Sequence, residues 1–188
     1  MDWRLVLCRH PQTDHNLGRI YSGQMDVPLN ATGLAQVNTL APQVAGLGGI
    51  CAVISSDLTR TATLAHRIRD LAGVRLRLLT DLREASIGRL EGLTREEFPQ
   101  KFQGDRYHTS NPAFDFTDIG GESAERVIAR QLRGLRVAQY YLELSGMDVA
   151  RVVVVGHGTA LRLLFRDHLG LIEALHEQGE YQEVPWTL

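Results

Sequence analysis

Cysteine is scarce in this chain, with only Cys8 and Cys51 among 188 residues. Both fall inside apolar runs, so each reads as a small buried thiol rather than half of a structural disulfide. Lysine is scarcer still: Lys101 is the only one among 20 basic residues, a compositional trait that carries no functional weight. No long block of like charge exists, and a formal charge of −2 with a pI near 6.4 excludes a general attraction to nucleic acid. Any positive field must be local. No apolar stretch approaches the ~20 residues of a membrane span, and Trp3-Arg4-Leu5 opens a strand rather than a signal-peptide core. A cytoplasmic protein without membrane or nucleic-acid partners is expected. Internal repeats, low-complexity tracts and linkers are missing too. The 188 residues therefore read as a single domain, 1–188, of a size that hides roughly 70% of its unfolded surface.

Short apolar runs without helical spacing predict strands at Leu5–Cys8, Ile50–Ile54, Leu76–Leu79 and Val152–Val155. Between them lie helical patterns. One starts at Thr32 as N-cap and turns Leu34, Val37, Leu40, Val44 and Leu47 inward, with a kink expected at Pro42. A second is capped by Ser56-Asp57, carries Arg60 in its first turn, and buries Leu58, Ala62, Ala65, Ile68 and Leu71. A third is capped by Ser123 and buries Val127, Ile128, Leu132, Leu135, Ala138 and Leu142. A fourth covers about Thr159–Leu169. Residues 93–121 contain Pro99 and Pro112, with one short helical stretch near Thr94–Phe102, and read as a lid-like excursion over the sheet edge. Strands alternating with helices predict an α/β fold, a three-layer α/β/α sandwich around a mainly parallel sheet.

Two histidines stand directly after strand runs: Arg9-His10 follows Cys8, and Gly156-His157-Gly158 follows Val155. If those strands are parallel neighbours about 4.8 Å apart, both imidazoles lie at one sheet edge, where open α/β sheets bind ligands. Arg9 and Arg60 can join them. Two cations and two imidazoles suit a dianion, phosphate first. His10 is the candidate nucleophile, since a neutral imidazole nitrogen can take a phosphoryl group and nearby arginines disfavour imidazolium. Arg9 and Arg60 offer planar forks for phosphate oxygens. His157 would stabilise charge as the leaving group departs, with glycines on either side allowing close backbone approach. Gly156-His157-Gly158 lacks the third glycine of a dinucleotide fingerprint. No histidine has the spacing with cysteines or carboxylates of a metal site. His66, His168 and His176 read as surface residues of helices.

Arg9-His10-Pro11-Gln12-Thr13 with Asn16 resembles the signature of the histidine phosphatase superfamily, the phosphoglycerate mutase-like family. The resemblance continues in family order through Ser55 to Thr61, Leu82-Arg83-Glu84 with Gly88 and Glu91-Gly92, Gly120-Gly121-Glu122-Ser123, and Gly156-His157-Gly158. It spans about residues 4–170 and is similar to the short bacterial phosphatase branch, α-ribazole phosphatases among them. It implies a phosphoglycerate mutase-like fold and a metal-independent phosphomonoesterase without cofactor, acting on a small phosphorylated metabolite through phosphohistidine on His10. It further implies Glu84 as general acid and base, a role that needs a raised pKa, and Asn16 as a phosphate donor. Gln12, His15, Tyr107, His108 and Glu122 are candidates for the lid or the shell behind the site, as are Phe114 and Phe116 for the lid, unless these aromatics only pack. Glu91 reads as a cap or support. Glu122 is the likelier of these two carboxylates to approach substrate.

Two departures stand out. Pro11-Gln12 replaces the family's usual Gly-Glu, which bears on substrate preference, and the tail from Glu173 to Pro185 shows no pattern for the family's final strand. Two other functions remain open beside the phosphatase. One is a cofactor-dependent phosphoglycerate mutase, an isomerase that generally carries a longer insertion near the lid. The other is a phospholigand-binding module without catalysis.

Overall fold

Three apolar runs and the mostly exposed Arg75–Leu78 form parallel strands: β1 (Asp2–Arg9), β2 (Ile50–Ser55), β3 (Arg75–Leu78) and β4 (Val149–Gly156). The structure, a computed structural model, describes residues 1–98, 102, 104–173 and 177–186. A fifth strand, β5 (Tyr181–Pro185), runs antiparallel along β1 and completes the order β3-β2-β4-β1-β5. The tail thus supplies the final strand that its pattern did not reveal. The cause is its edge position: only Val184 of its five residues is buried, and Glu183 pairs with Arg151 of β4 at 3.0 Å.

Alternation along each strand sends neighbouring side chains to opposite faces. After β1 a single turn forms α1 (Asp14–Leu17). Val6 and Cys8 join Val153, Val155 and the inner stripes of α2 (Ala31–Ala45) and α3 (Thr59–Ala72). Leu5 and Leu7 join Val152, Val154 and α4 (Ala124–Ser145). The result is the expected three-layer α/β/α sandwich with a mainly parallel sheet. Beyond β4 the chain forms one α-turn, α5 (Gly158–Leu161), and continues as a π-helix over Arg162–His168. Cys8 and Cys51 are both free thiols, Cys8 fully buried.

Two helix starts differ from the sequence reading, α2 through a neighbouring cap and α3 through a distant one. α2 begins at Ala31, its N-cap two residues before Thr32, because Asn30 accepts the Gly33 N–H at 2.9 Å. Its buried stripe is Gly33, Val37, Leu40, Ala41 and Val44, leaving Leu34 half exposed, and Pro42 lies inside it. Asp57 does not cap α3. It binds Arg83 through two hydrogen bonds of 2.6 and 2.7 Å, and the first-turn Thr59 N–H is taken by Asp26. Leu71, expected inside, is exposed. Ser123 caps α4 as expected.

The excursion, 93–121, has a core of its own. Phe98, Phe114, Phe116 and Ile119 pack with Ala85, Ile87, Leu90 and Val127. Phe114 and Phe116 are buried anchors and do not line the cavity at the sheet edge. The helical stretch expected near Thr94–Phe102 and the surface role of His176 fall partly or wholly outside the described residues. His66 and His168 are exposed.

Candidate active site

Register brings the two histidines together. Arg9 lies opposite Gly156 in the β1–β4 ladder, and the His10 N–H continues it to the Gly156 carbonyl at 3.0 Å. One residue on, the His10 and His157 rings stand 5.3 Å apart between centroids. His10 Nδ1 lies 2.8 Å from the Pro11 carbonyl. A carbonyl only accepts, so Nδ1 carries the hydrogen and Nε2 keeps the lone pair. Both nitrogens of His157 are buried without a partner among the described residues.

Burial and then the charge of Arg60 push the His10 pKa down to about 3, against the opposing pull of the Pro11 carbonyl. His157 is held well below its usual value by burial, then by Arg60 and His10. Both imidazoles are therefore neutral at pH 7. The unfolded chain binds protons near pH 6.5 that the folded chain refuses, so this stabilisation is complete above that value and is lost as pH falls toward 3. We expect unfolding free energy to drop by up to about 1.4 kcal/mol per pH unit for each histidine in that window. Urea titrations between pH 7.5 and 4.5 check this, with His10→Asn flattening the slope; parallel slopes for variant and wild type would refute it.

Arg60, 1% exposed, reaches from the first turn of α3 to the Met25 and Gly23 carbonyls at 2.7 and 2.9 Å. Its Nε has no partner among the described residues, nor has that of Arg9. Arg9 lies flat against Gly158, where an added Cβ would stand 3.2 Å from its guanidinium. A side chain at 158 would have to push the guanidinium away by a few tenths of an ångström.

Glu84 crosses to the start of α5. Its Oε1 accepts the N–H groups of Ala85 and Ala160, each at 2.9 Å, and Oε2 accepts that of Thr159 at 3.0 Å. Oε2, with a single donor, has room to carry a proton. Asn16 turns its amide oxygen back onto Thr13, receiving the N–H at 3.0 Å and the hydroxyl at 2.9 Å in a capping box.

Arg9, His10, Asn16, Arg60 and Glu84 all line one cavity of about 560 Å³, and His157 lies beneath it against His10. His15 lines it as well, bonded to Ser22. Gln12, Tyr107, His108 and Glu122 are not in its wall. Gln12 binds Asn30 at 3.1 Å, so the side chain that replaces the usual glutamate points to the start of α2 and does not alter the pocket rim. Tyr107 donates to Asp118 at 2.5 Å, and His108 stacks edge-on to Phe98. Glu122 pairs with Arg130 at 2.8 Å, behind the site rather than toward substrate. Glu91 caps no helix; it accepts the N–H groups of Gln24 and Ile87.

The wall also holds Arg19, Arg95, Arg162, Arg166 and Gln178, which sequence reasoning missed. Arginines in loops and on short helices look like solvated surface, and nothing local shows that a C-terminal glutamine folds back to a sheet edge. Among the described residues, no three His, Cys, Asp or Glu side chains gather as a metal cluster.

The family model described as histidine phosphatase superfamily (branch 1) matches residues 5–184. The chain belongs to the histidine phosphatase superfamily. It is 36% identical over 181 residues to the bifunctional protein Rv2228c of Mycobacterium tuberculosis (strain ATCC 25618 / H37Rv), covering 92% of this chain and 47% of that protein. It thus spans about half the length of the first curated relatives it matches. A glucosyl-3-phosphoglycerate phosphatase of M. tuberculosis (strain CDC 1551 / Oshkosh) is 35% identical over 166 residues, 86% of this chain and 73% of that one. The solved mycobacterial glucosyl-3-phosphoglycerate phosphatase Rv2419c with VO3 superposes with a TM-score of 0.78 at 29% identity, over 96% of this chain and 91% of that one. Within the superfamily signature, the Pro11 carbonyl at the departure from Gly-Glu is the group that sets the His10 tautomer.

Proposed function

We propose that this chain is a metal-independent phosphomonoesterase that hydrolyses a small phosphorylated metabolite through phosphohistidine on His10. The observation that carries this reading is the His10–His157 pair at 5.3 Å, flanked by Arg9 and Arg60 and faced by Glu84 in one cavity. The His10 Nε2 lone pair attacks phosphorus, and the P–O bond to the alcohol breaks with its electron pair on oxygen. Glu84 gives that oxygen a proton. The phosphorylated ring is cationic, with hydrogen on Nδ1 and phosphorus on Nε2, and the Pro11 carbonyl at 2.8 Å steadies it. Water then attacks phosphorus as Glu84 takes its proton, and the N–P electron pair returns to Nε2. Arg9, Arg60 and an N–H of His157 balance the phosphoryl charge, the task that metal ions perform in other phosphatases. The relative named for glucosyl-3-phosphoglycerate supports a small metabolite as substrate.

Phosphate release from a panel of small phosphomonoesters, measured after exhaustive chelation, tests this reading. At least one should turn over at full rate without added metal. In the same assay, 3-phosphoglycerate with catalytic 2,3-bisphosphoglycerate should give little 2-phosphoglycerate. Rapid interconversion of the phosphoglycerates with negligible phosphate release would make the chain a mutase. Activity restored only by a divalent metal would overturn the chemistry.

A further inference from the structure

The segment that carries Glu84 belongs to no helix or strand. It lies between 3₁₀ turns at Thr80–Leu82 and Gly88–Leu90, so side chains must hold the backbone that regular structure holds elsewhere. Arg130, on α4 and 7% exposed, does most of this. It donates to the carbonyls of Asp81, Arg83 and Glu84 at 2.9, 2.6 and 2.8 Å. The same guanidinium grips both carboxylate oxygens of Glu122, at 2.8 and 2.9 Å. Every N–H of the fork is used.

Glu122 extends the grip past Glu84. Its Oε2 accepts the Ser86 N–H at 2.9 Å, and its own N–H donates to the Ser86 carbonyl at 2.8 Å. The Gln24 amide donates to the Glu84 carbonyl at 3.1 Å. The backbone is thus pinned on both sides of one residue, whose carboxylate spans to the Thr159 and Ala160 N–H groups. A buried ion pair is weak evidence for stability, because desolvation offsets most of its attraction. Five directed bonds around a single functional side chain are evidence for geometry.

We propose that Arg130 is the positioning residue of Glu84. Its planar fork sets where the Glu84 carboxyl stands against the leaving oxygen, and Glu122 orients the fork. This rests on the reading of Glu84 as acid and base. Lysine keeps the charge but has three donors from one point, too few for five acceptors on two sides.

The test compares an alkyl phosphate that the chain hydrolyses with p-nitrophenyl phosphate, whose leaving group hardly needs a proton. Arg130→Lys should lower kcat for the alkyl ester about 10- to 100-fold, the scale of a small misplacement. It should leave KM for both and the phosphorylation step with p-nitrophenyl phosphate nearly unchanged. In a Glu84→Gln background the same change should add less than about twofold, because residues acting through one group are not additive. If Arg130→Lys fails to fold by circular dichroism, Glu122→Gln frees one side of the fork and should give the same leaving-group dependence. Equal loss on both substrates, or additivity with Glu84→Gln, would overturn the positioning role and leave Glu84 in place. No leaving-group dependence in Glu84→Gln itself would overturn both.

Discussion

His10→Ala is expected to lose phosphate release by at least about 10⁴-fold, the scale on which enzymes respond to removal of a nucleophile. The reason is geometric. Nε2 has its lone pair free because Nδ1 is committed to the Pro11 carbonyl, and a pKa pushed down to about 3 by burial and Arg60 keeps the ring neutral at pH 7. Among the described residues of the cavity wall the arginines remain charged, and the other imidazole, His15, stands on the helical turn Asp14–Leu17 bonded to Ser22 rather than at the end of a strand. Labelled substrate should leave an acid-labile, alkali-stable phosphoryl group on wild-type protein and none on the variant. A variant that turns over at a near-normal rate would remove His10 from the chemistry.

Glu84→Gln should cost about 10²–10⁴-fold in the phosphorylation step with alkyl phosphates, the usual worth of a positioned acid. The amide oxygen can take the place of Oε1 and accept from Ala85 and Ala160, but the NH₂ group then faces the Thr159 N–H donor. The variant should therefore also lose about 0.5–1.5 kcal/mol of stability, the net worth of one hydrogen bond, since the Thr159 donor lines the cavity and is only part-buried. With p-nitrophenyl phosphate the first step should survive, while water attack on the shared intermediate slows for both substrates. Single-turnover measurements separate the two steps. Equal loss in the first step for both substrates would make Glu84 a support of the pocket rather than its acid.

Much of the site was legible in the chain because its parts obey short-range rules. A strand run ending in Arg9-His10, another ending in Gly156-His157-Gly158, and Arg60 in a helix's first turn each announce their place without a partner. Arg130 was not legible in this way. In an amphipathic helix an arginine is read as solvated, although its place on the buried stripe with Val127, Gln131 and Gly134 was a signal that could have found it. The start of α3 was misplaced for a related reason. Asp26 caps α3 from 33 residues away, and no local pattern records such a partner.

The sequence by itself determined the layered α/β fold and where its central strands give way to polar residues, since continuous apolar runs must be buried on both faces of a sheet and polar residues must leave it at the edge. It also marked the residues proposed to bind and attack a phosphoryl group. Only the tertiary structure decided that β1 and β4 are neighbours in the register that pairs His10 with His157, and that Glu183 and Val184 belong to an edge strand. Only it decided that Arg130, through Glu122 and three carbonyls, holds Glu84. Periodicity reports how a residue relates to its own helix or strand, whereas strand order, long-range caps and buried ion pairs depend on elements far apart in the chain that meet only when it folds.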